Sequence, residues 1–178
     1  MTTVEIADLA KMSAPAKELA RDDLSPSRYV EVLEKQKLFR DAVLFLAYGL
    51  PAPLSIRWGC RCCREFLTER QIEEAKVSLE AAETWTESPS DELRWAARDA
   101  AEKDGVKTPA DLLAMAIFFS GGSVTPPNTP ETPPPPYVTQ KMTAGSIQVS
   151  VLTNTPEKAD ERYKKALQIS RDVVKRTK

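Results

Sequence analysis

The residues with the greatest capacity for chemistry are the three cysteines, Cys60, Cys62 and Cys63, which sit together in the run Trp58-Gly-Cys-Arg-Cys-Cys-Arg-Glu. Cys60 and Cys63 form a C-x-x-C pair. That spacing suits a thiol redox motif when it opens a helix, where the dipole lowers the thiol pKa. Here Pro53 starts the predicted helix over 54–67, so the pair lies two turns inside and loses most of that field. Arg57 and Arg64, at i−3 and i+4 from Cys60, offset part of the loss. A second reading takes in more residues: Ile56, Cys60, Cys63 and Leu67 recur at i, i+4, i+7 and i+11, a core stripe in which cysteine acts as a small hydrophobe. Trp58 and Cys62 then pair at i, i+4 on the opposite flank, and Arg57, Arg61 and Arg64 make a polar stripe. Zinc would need converging ligands, but Cys62 points away from Cys60 on a helix and there is no histidine to complete a set. The core stripe is the expected role, a redox switch or enzyme centred on Cys60 and Cys63 is the alternative, and no metal or cofactor is expected.

The absence of histidine from the 178 residues removes Ser-His and Cys-His nucleophile pairs and histidine proton shuttles within one chain. Catalysis would fall to Asp, Glu, Lys, Tyr or Cys, and no enzyme is expected. With 42% hydrophobic and 29% charged residues the chain can bury a real core. A formal charge of −1 leaves no basic footprint for nucleic acid, so none is expected as a partner. No window approaches a membrane span and the first residues lack a signal-peptide pattern. Crowded cysteines argue for a reducing compartment, and the expected location is the cytoplasm.

Residues 120–137 carry half of the 14 prolines. Proline lacks the amide donor and fixes φ, so this run is neither core helix nor central strand. It is expected to be a stiff strap across the helices. Ser120-Gly121-Gly122-Ser123 at its start only superficially resembles a phosphate loop, because it follows a helix and meets the negative end of the dipole. It reads as a glycine C-cap. Pro134-Pro135-Pro136-Tyr137 matches the P-P-x-Y pattern of WW ligands, which keeps open a role as a proline-rich ligand for a peptide-recognition domain. Thr125, Thr129 and Thr132 each precede proline.

The elements that position these residues are read from a recurring start signal, Ser or Thr followed by Pro, at Ser25, Ser88, Thr108 and Thr155, with a capping box from Thr68 to Gln71. Helices are predicted over 25–35, 38–48, 54–67, 69–86, 91–103, 110–119 and 157–175. Ile72, Ala75, Leu79 and Ala82 give the fourth its buried face. Residues 110–119 are apolar almost all round and belong at the centre. Residues 140–154 are ambiguous: Ala144, Ile147 and Val151 fit a helix, whereas Ile147, Val149 and Val151 alternate like a strand. Helix is favoured, because a lone strand has no partner. The expected fold is all-α, an irregular single-domain array of about seven to eight helices with a Pro-rich crossing strap. Residues 1–24 form an N-terminal segment with one short helix, and 25–178 the domain, including the strap at 123–137.

The order of landmarks resembles an uncharacterised bacterial family. The matching features are Phe45-Leu-Ala-Tyr-Gly-Leu-Pro51, Arg57-Trp-Gly-Cys60, the stretch Trp85 to Arg98 with its Pro-Ser, and Thr108-Pro109 leading to Phe118-Phe-Ser-Gly-Gly-Ser123. Where family members carry Trp before Ser-Gly-Gly, this chain has Phe119. Members look to be encoded near type VI secretion or contractile-apparatus genes, which implies a non-catalytic accessory or adaptor with a protein partner. The resemblance carries over no catalytic residues. Candidate interaction or pocket residues are Trp58, Cys62, Phe119, Ser120, Gly121, Gly122, Pro134, Pro135 and Tyr137.

Overall fold

Side-chain caps set many of the element boundaries. The structure, a computed structural model, describes residues 1–103, 105–126 and 128–176. Its α-helices are α1 Thr3–Leu9, α2 Ala14–Glu18, α3 Pro26–Lys35, α4 Phe39–Gly49, α5 Ala52–Phe66, α6 Glu69–Glu74, α7 Lys76–Glu87, α8 Asp91–Glu102, α9 Pro109–Phe118, α10 Val138–Leu152 and α11 Ala159–Lys175, the last preceded by a 3-10 turn at Pro156–Lys158. Ser25, Thr68 and Thr108 accept from the N3 amides of α3, α6 and α9, and Thr68 and Thr108 complete capping boxes. Two of the start signals fall differently. Ser90 rather than Ser88 caps α8, and Thr155 opens the 3-10 turn without a side-chain cap.

The all-α array stands, but the count of seven to eight helices is too low: the described residues form 11 α-helices, 9 of them seven residues or longer. Two of the breaks are invisible to hydrophobic spacing. In the N-terminal segment, Lys11 turns left-handed at φ 49 and separates α1 from α2, which Ser13 caps. The helix expected over 69–86 is broken at Ala75, whose ψ of 0 bends the chain while leaving Ile72, Ala75 and Leu79 in register. The bend lets α6 reach the end of α10, where the amides of Gln71 and Asn154 bond reciprocally at 3.2 and 2.9 Å.

α5 divides two apolar cores. Trp58, Cys62 and Phe66 face a cluster that gathers α1, α3, α4 and α11 with Ile147 and Val151 of α10. Ile56, Cys60, Cys63 and Leu67 face the other, built with α7, α8 and α9. The N-terminal segment joins the first core through Ile6, Ala7, Met12 and Ala16, and Asp41 of α4 tethers it by accepting from the Ser13 amide (2.7 Å) and hydroxyl (2.9 Å). α9 packs against α5, α7, α8 and α10, as its all-round apolarity predicts. α10 is a helix: Ile147 and Val151 are sealed while Val149 is 44% exposed, so its period is four rather than two.

The connection between α9 and α10 is not a crossing strap. Thr139 donates to the Ala116 carbonyl (3.2 Å) and Ser146 to the Pro109 carbonyl (2.7 Å), so the two helices lie antiparallel. Their linking residues leave and return at one end of this hairpin. Within them the chain closes on itself, with the Val124 amide donating to Thr132 O at 2.9 Å. With few amide donors to spend, a proline-dense segment closes into a compact loop by adding threonine hydroxyls as donors to its proline carbonyls. Among the described residues no helix is long and apolar enough to cross a membrane.

Candidate functional site

The Ser-Gly-Gly-Ser turn is organised by a residue the sequence does not single out. Arg94 of α8 is only 5% exposed. Its guanidinium donates to Asp91 Oδ1 (2.7 Å), to the carbonyl of Phe118 at the end of α9 (2.8 Å) and to the carbonyl of Ser123 (3.0 Å). The planar fork reaches three acceptors that a lysine could not serve together. It also lies about 5.3 Å from the ring centroids of Trp95 and Phe118. These rings stack edge-on at 5.1 Å, and Phe118 does the same with Phe119.

Gly122 adopts φ +66, and a Cβ there would meet Arg94 Nη2 at 2.9 Å. Gly121 has open space around it and no such torsion. The C-cap reading is therefore displaced by two to three residues. Phe119 caps α9 in a near-helical conformation, Ser120 closes it through its amide and hydroxyl on the Ile117 carbonyl (2.9 and 2.7 Å), and Gly122 bends the chain over the guanidinium.

Beyond the turn, Ser123 is the hub. Its hydroxyl contacts Thr125 Oγ1 at 2.7 Å and accepts from the amides of Thr125 (3.1 Å) and Thr132 (3.0 Å). Thr125 donates on to the Pro130 carbonyl and Thr129 to the Pro126 carbonyl, at 2.7 and 2.6 Å. Thr129, Pro130, Glu131, Thr132 and Pro133 are exposed. A shallow cleft of about 320 Å³ runs between this loop and α8, lined by Asp91, Arg94, Trp95 and Glu131. Hydroxyl-to-carbonyl bonds thus spend the three threonines that precede proline differently: Thr125 and Thr129 brace the loop, and Thr132 pairs through its backbone.

The cysteine region lies elsewhere. Trp58 and Cys62 do not share a pocket with Ser-Gly-Gly-Ser: both are sealed in the first core, where Trp58 Nε1 donates to the Ala166 carbonyl at 2.8 Å. Cys60 and Cys63 are sealed in the second, and Cys63 Sγ lies 3.5 Å from Ser150 Oγ. All three thiols are free. Burial pushes each of them up, most strongly at Cys60 and Cys62, while the hydroxyls of Ser150 and Ser146 partly oppose the shift at Cys63. The stripe spacing foresaw this split between flanks. Among the described residues, no group of three or more Cys, Asp or Glu is arranged to hold a metal ion.

Pro134 is half-buried and Pro135 exposed. Tyr137 leaves the polyproline path at φ 61, ψ 10 and serves as the N-cap of α10, whereas a P-P-x-Y ligand is read in the extended form. Its exposed ring lies far along the chain from Trp58 and rims a different cleft with Lys11 and Arg40.

The Trp-Cys helix, the Thr-Pro helix and the Arg94-anchored turn all fall within residues 29–174, the span that matches one sequence family. The chain belongs to the family of unknown function DUF6931. No curated protein and no solved structure matches the chain. The matched span covers the second core, most of the first and the anchored loop, and leaves out α1, α2 and the start of α3.

Proposed function

We propose that this protein is a non-catalytic helical adaptor, an accessory of a bacterial secretion or contractile assembly, which presents the loop over residues 123–133 to a protein partner. The observation that carries the reading is the anchoring of that loop. A buried guanidinium holds its entry and its own hydroxyls brace its interior, while its outer residues stay in solvent. A loop ordered before binding loses less conformational entropy on association, so modest contacts at its tip yield useful affinity. The choice of assembly rests on the resemblance to proteins encoded beside such genes.

The test is a parallel capture from native lysate with the wild-type chain and a loop-tip variant, Glu131→Ala with Pro133→Ala. Both positions are exposed, so folding is expected to be unchanged. A component of the secretion or contractile apparatus should be retained by the wild type and weakened about tenfold or more by the variant. Equal retention by both, or intact secretion after deletion of the gene, defeats the reading.

A further inference from the structure

The cleft between α1, α4 and the start of α10 combines features that the adaptor reading does not use. It encloses about 470 Å³ and is walled by Leu44, Ala144 and Gly145, with Lys11, Arg40 and Lys141 around it and no carboxylate among its lining residues. Some cations on this surface are paired with an acid, as Lys17 is with Asp8 and Arg171 with Glu34. Here, among the described residues, Arg40 donates through Nε to the side-chain oxygen of Gln148 at 3.2 Å and is in no ion pair.

Two further features shape the cleft. Tyr48 lines the cleft while only 8% exposed, and its hydroxyl, which still reaches solvent, makes no hydrogen bond among the described residues. Burial raises its pKa. Lys11 and Tyr137, both on the rim, hold left-handed torsions of φ 49 and 61 without being glycine. Both torsions belong to helix ends, Lys11 just past the C-cap of α1 and Tyr137 as the N-cap of α10, and they set where the two side chains stand on the rim.

We infer that this cleft binds a nucleoside phosphate, with phosphate oxygens on Lys11, Arg40 and Lys141 and the flat base against Tyr137 and the apolar floor. Three cations without an acid suit more than one phosphate charge, and Arg40 offers the fork that meets phosphate oxygens in pairs. The exposed ring of Tyr137 supplies a stacking face, and the Tyr48 hydroxyl an additional donor. The volume lies within the range of small-molecule sites. The cleft lies at the end of the antiparallel pair α9 and α10 from which the loop over 123–133 also leaves, but none of its lining residues belongs to that loop.

Titration calorimetry of the full chain with ADP, GDP and pyrophosphate tests the inference. Saturable binding is expected, with at least one nucleotide about tenfold tighter than pyrophosphate because the base adds its own contacts. Lys141→Ala and Tyr48→Phe should each weaken that nucleotide, by about tenfold and about fivefold. Lys35→Ala removes an equally exposed charge outside the cleft and should change nothing. Amide shifts on titration should centre on Lys11, Tyr48, Tyr137 and Gln148. The inference is overturned if none of the three probes saturates, if pyrophosphate binds as tightly as both nucleotides, or if Lys35→Ala weakens binding as much as Lys141→Ala.

Discussion

At Gly122 an added methyl would sit 2.9 Å from Arg94 Nη2, on a backbone with φ +66, while one residue earlier the same methyl would meet nothing within 4 Å. The neighbours should therefore respond in opposite directions. Gly122→Ala is expected to cost about 1–3 kcal/mol, because the torsion is strained and the guanidinium must shift off the Phe118 and Ser123 carbonyls it donates to. Gly121→Ala should be neutral or stabilising by about 0.5 kcal/mol through the unfolded chain. Urea unfolding reads both, and hydrogen exchange at the Val124 and Thr132 amides should accelerate only in Gly122→Ala. Equal effects at the two positions would show that Arg94 does not hold the turn. Ser-Gly-Gly-Ser was legible as a turn that ends a helix. Arg94 was not, because an arginine on an amphipathic helix ordinarily reads as a solvated face, and only the tertiary position of two carbonyls makes this one internal.

On the scale of elements, α5 was the most legible part of the chain: its i, i+4, i+7 stripe and opposite Trp58-Cys62 flank translate directly into two buried faces. The bend at Ala75 was illegible because a single change of ψ leaves the hydrophobic register intact. The left-handed break falls on Lys11, which is neither glycine nor proline, although Ser13 and Pro15 just beyond it mark the start of α2. The closeness of α5 and α9 was equally hidden. A Cβ on Gly59 would lie 2.5 Å from Leu113 Cδ2, and Leu113 is fully sealed. Gly59→Ala gains about 1 kcal/mol of helix propensity and meets an overpacking penalty of about 1–3 kcal/mol, so net destabilisation is expected. Leu113→Ala alone should cost about 2–5 kcal/mol through the cavity it opens. Together the two should cost less than their sum, because the new methyl occupies part of that cavity. A double-mutant cycle by chemical denaturation measures the difference, and strict additivity would mean that the two helices do not meet at this point.

Over the whole molecule, the division by α5 decides whether the two cores unfold together. Neither can detach cleanly: opening the second core bares Ile56, Cys60, Cys63 and Leu67, and opening the first bares Trp58, Cys62 and Phe66 of the same helix. Trp58 Nε1 would also lose the Ala166 carbonyl, and Arg162, which donates to the Phe66 carbonyl at 2.7 Å, would release the end of α5. A helix short of partners on either side is marginal in water, so loss of one core should melt α5 and carry the other with it. The cysteines report on this directly, since Cys62 faces one core and Cys60 and Cys63 the other. With a thiol reagent under native conditions, all three should react in a single phase, slowed relative to the unfolded chain by the opening equilibrium. For a stability of about 5 kcal/mol, the low end for a domain, that is roughly three to four decades. Two phases, one thiol and then two or the reverse, would show that the cores open separately. A thiol modified at the rate of the unfolded chain would instead support the redox reading of Cys60 and Cys63.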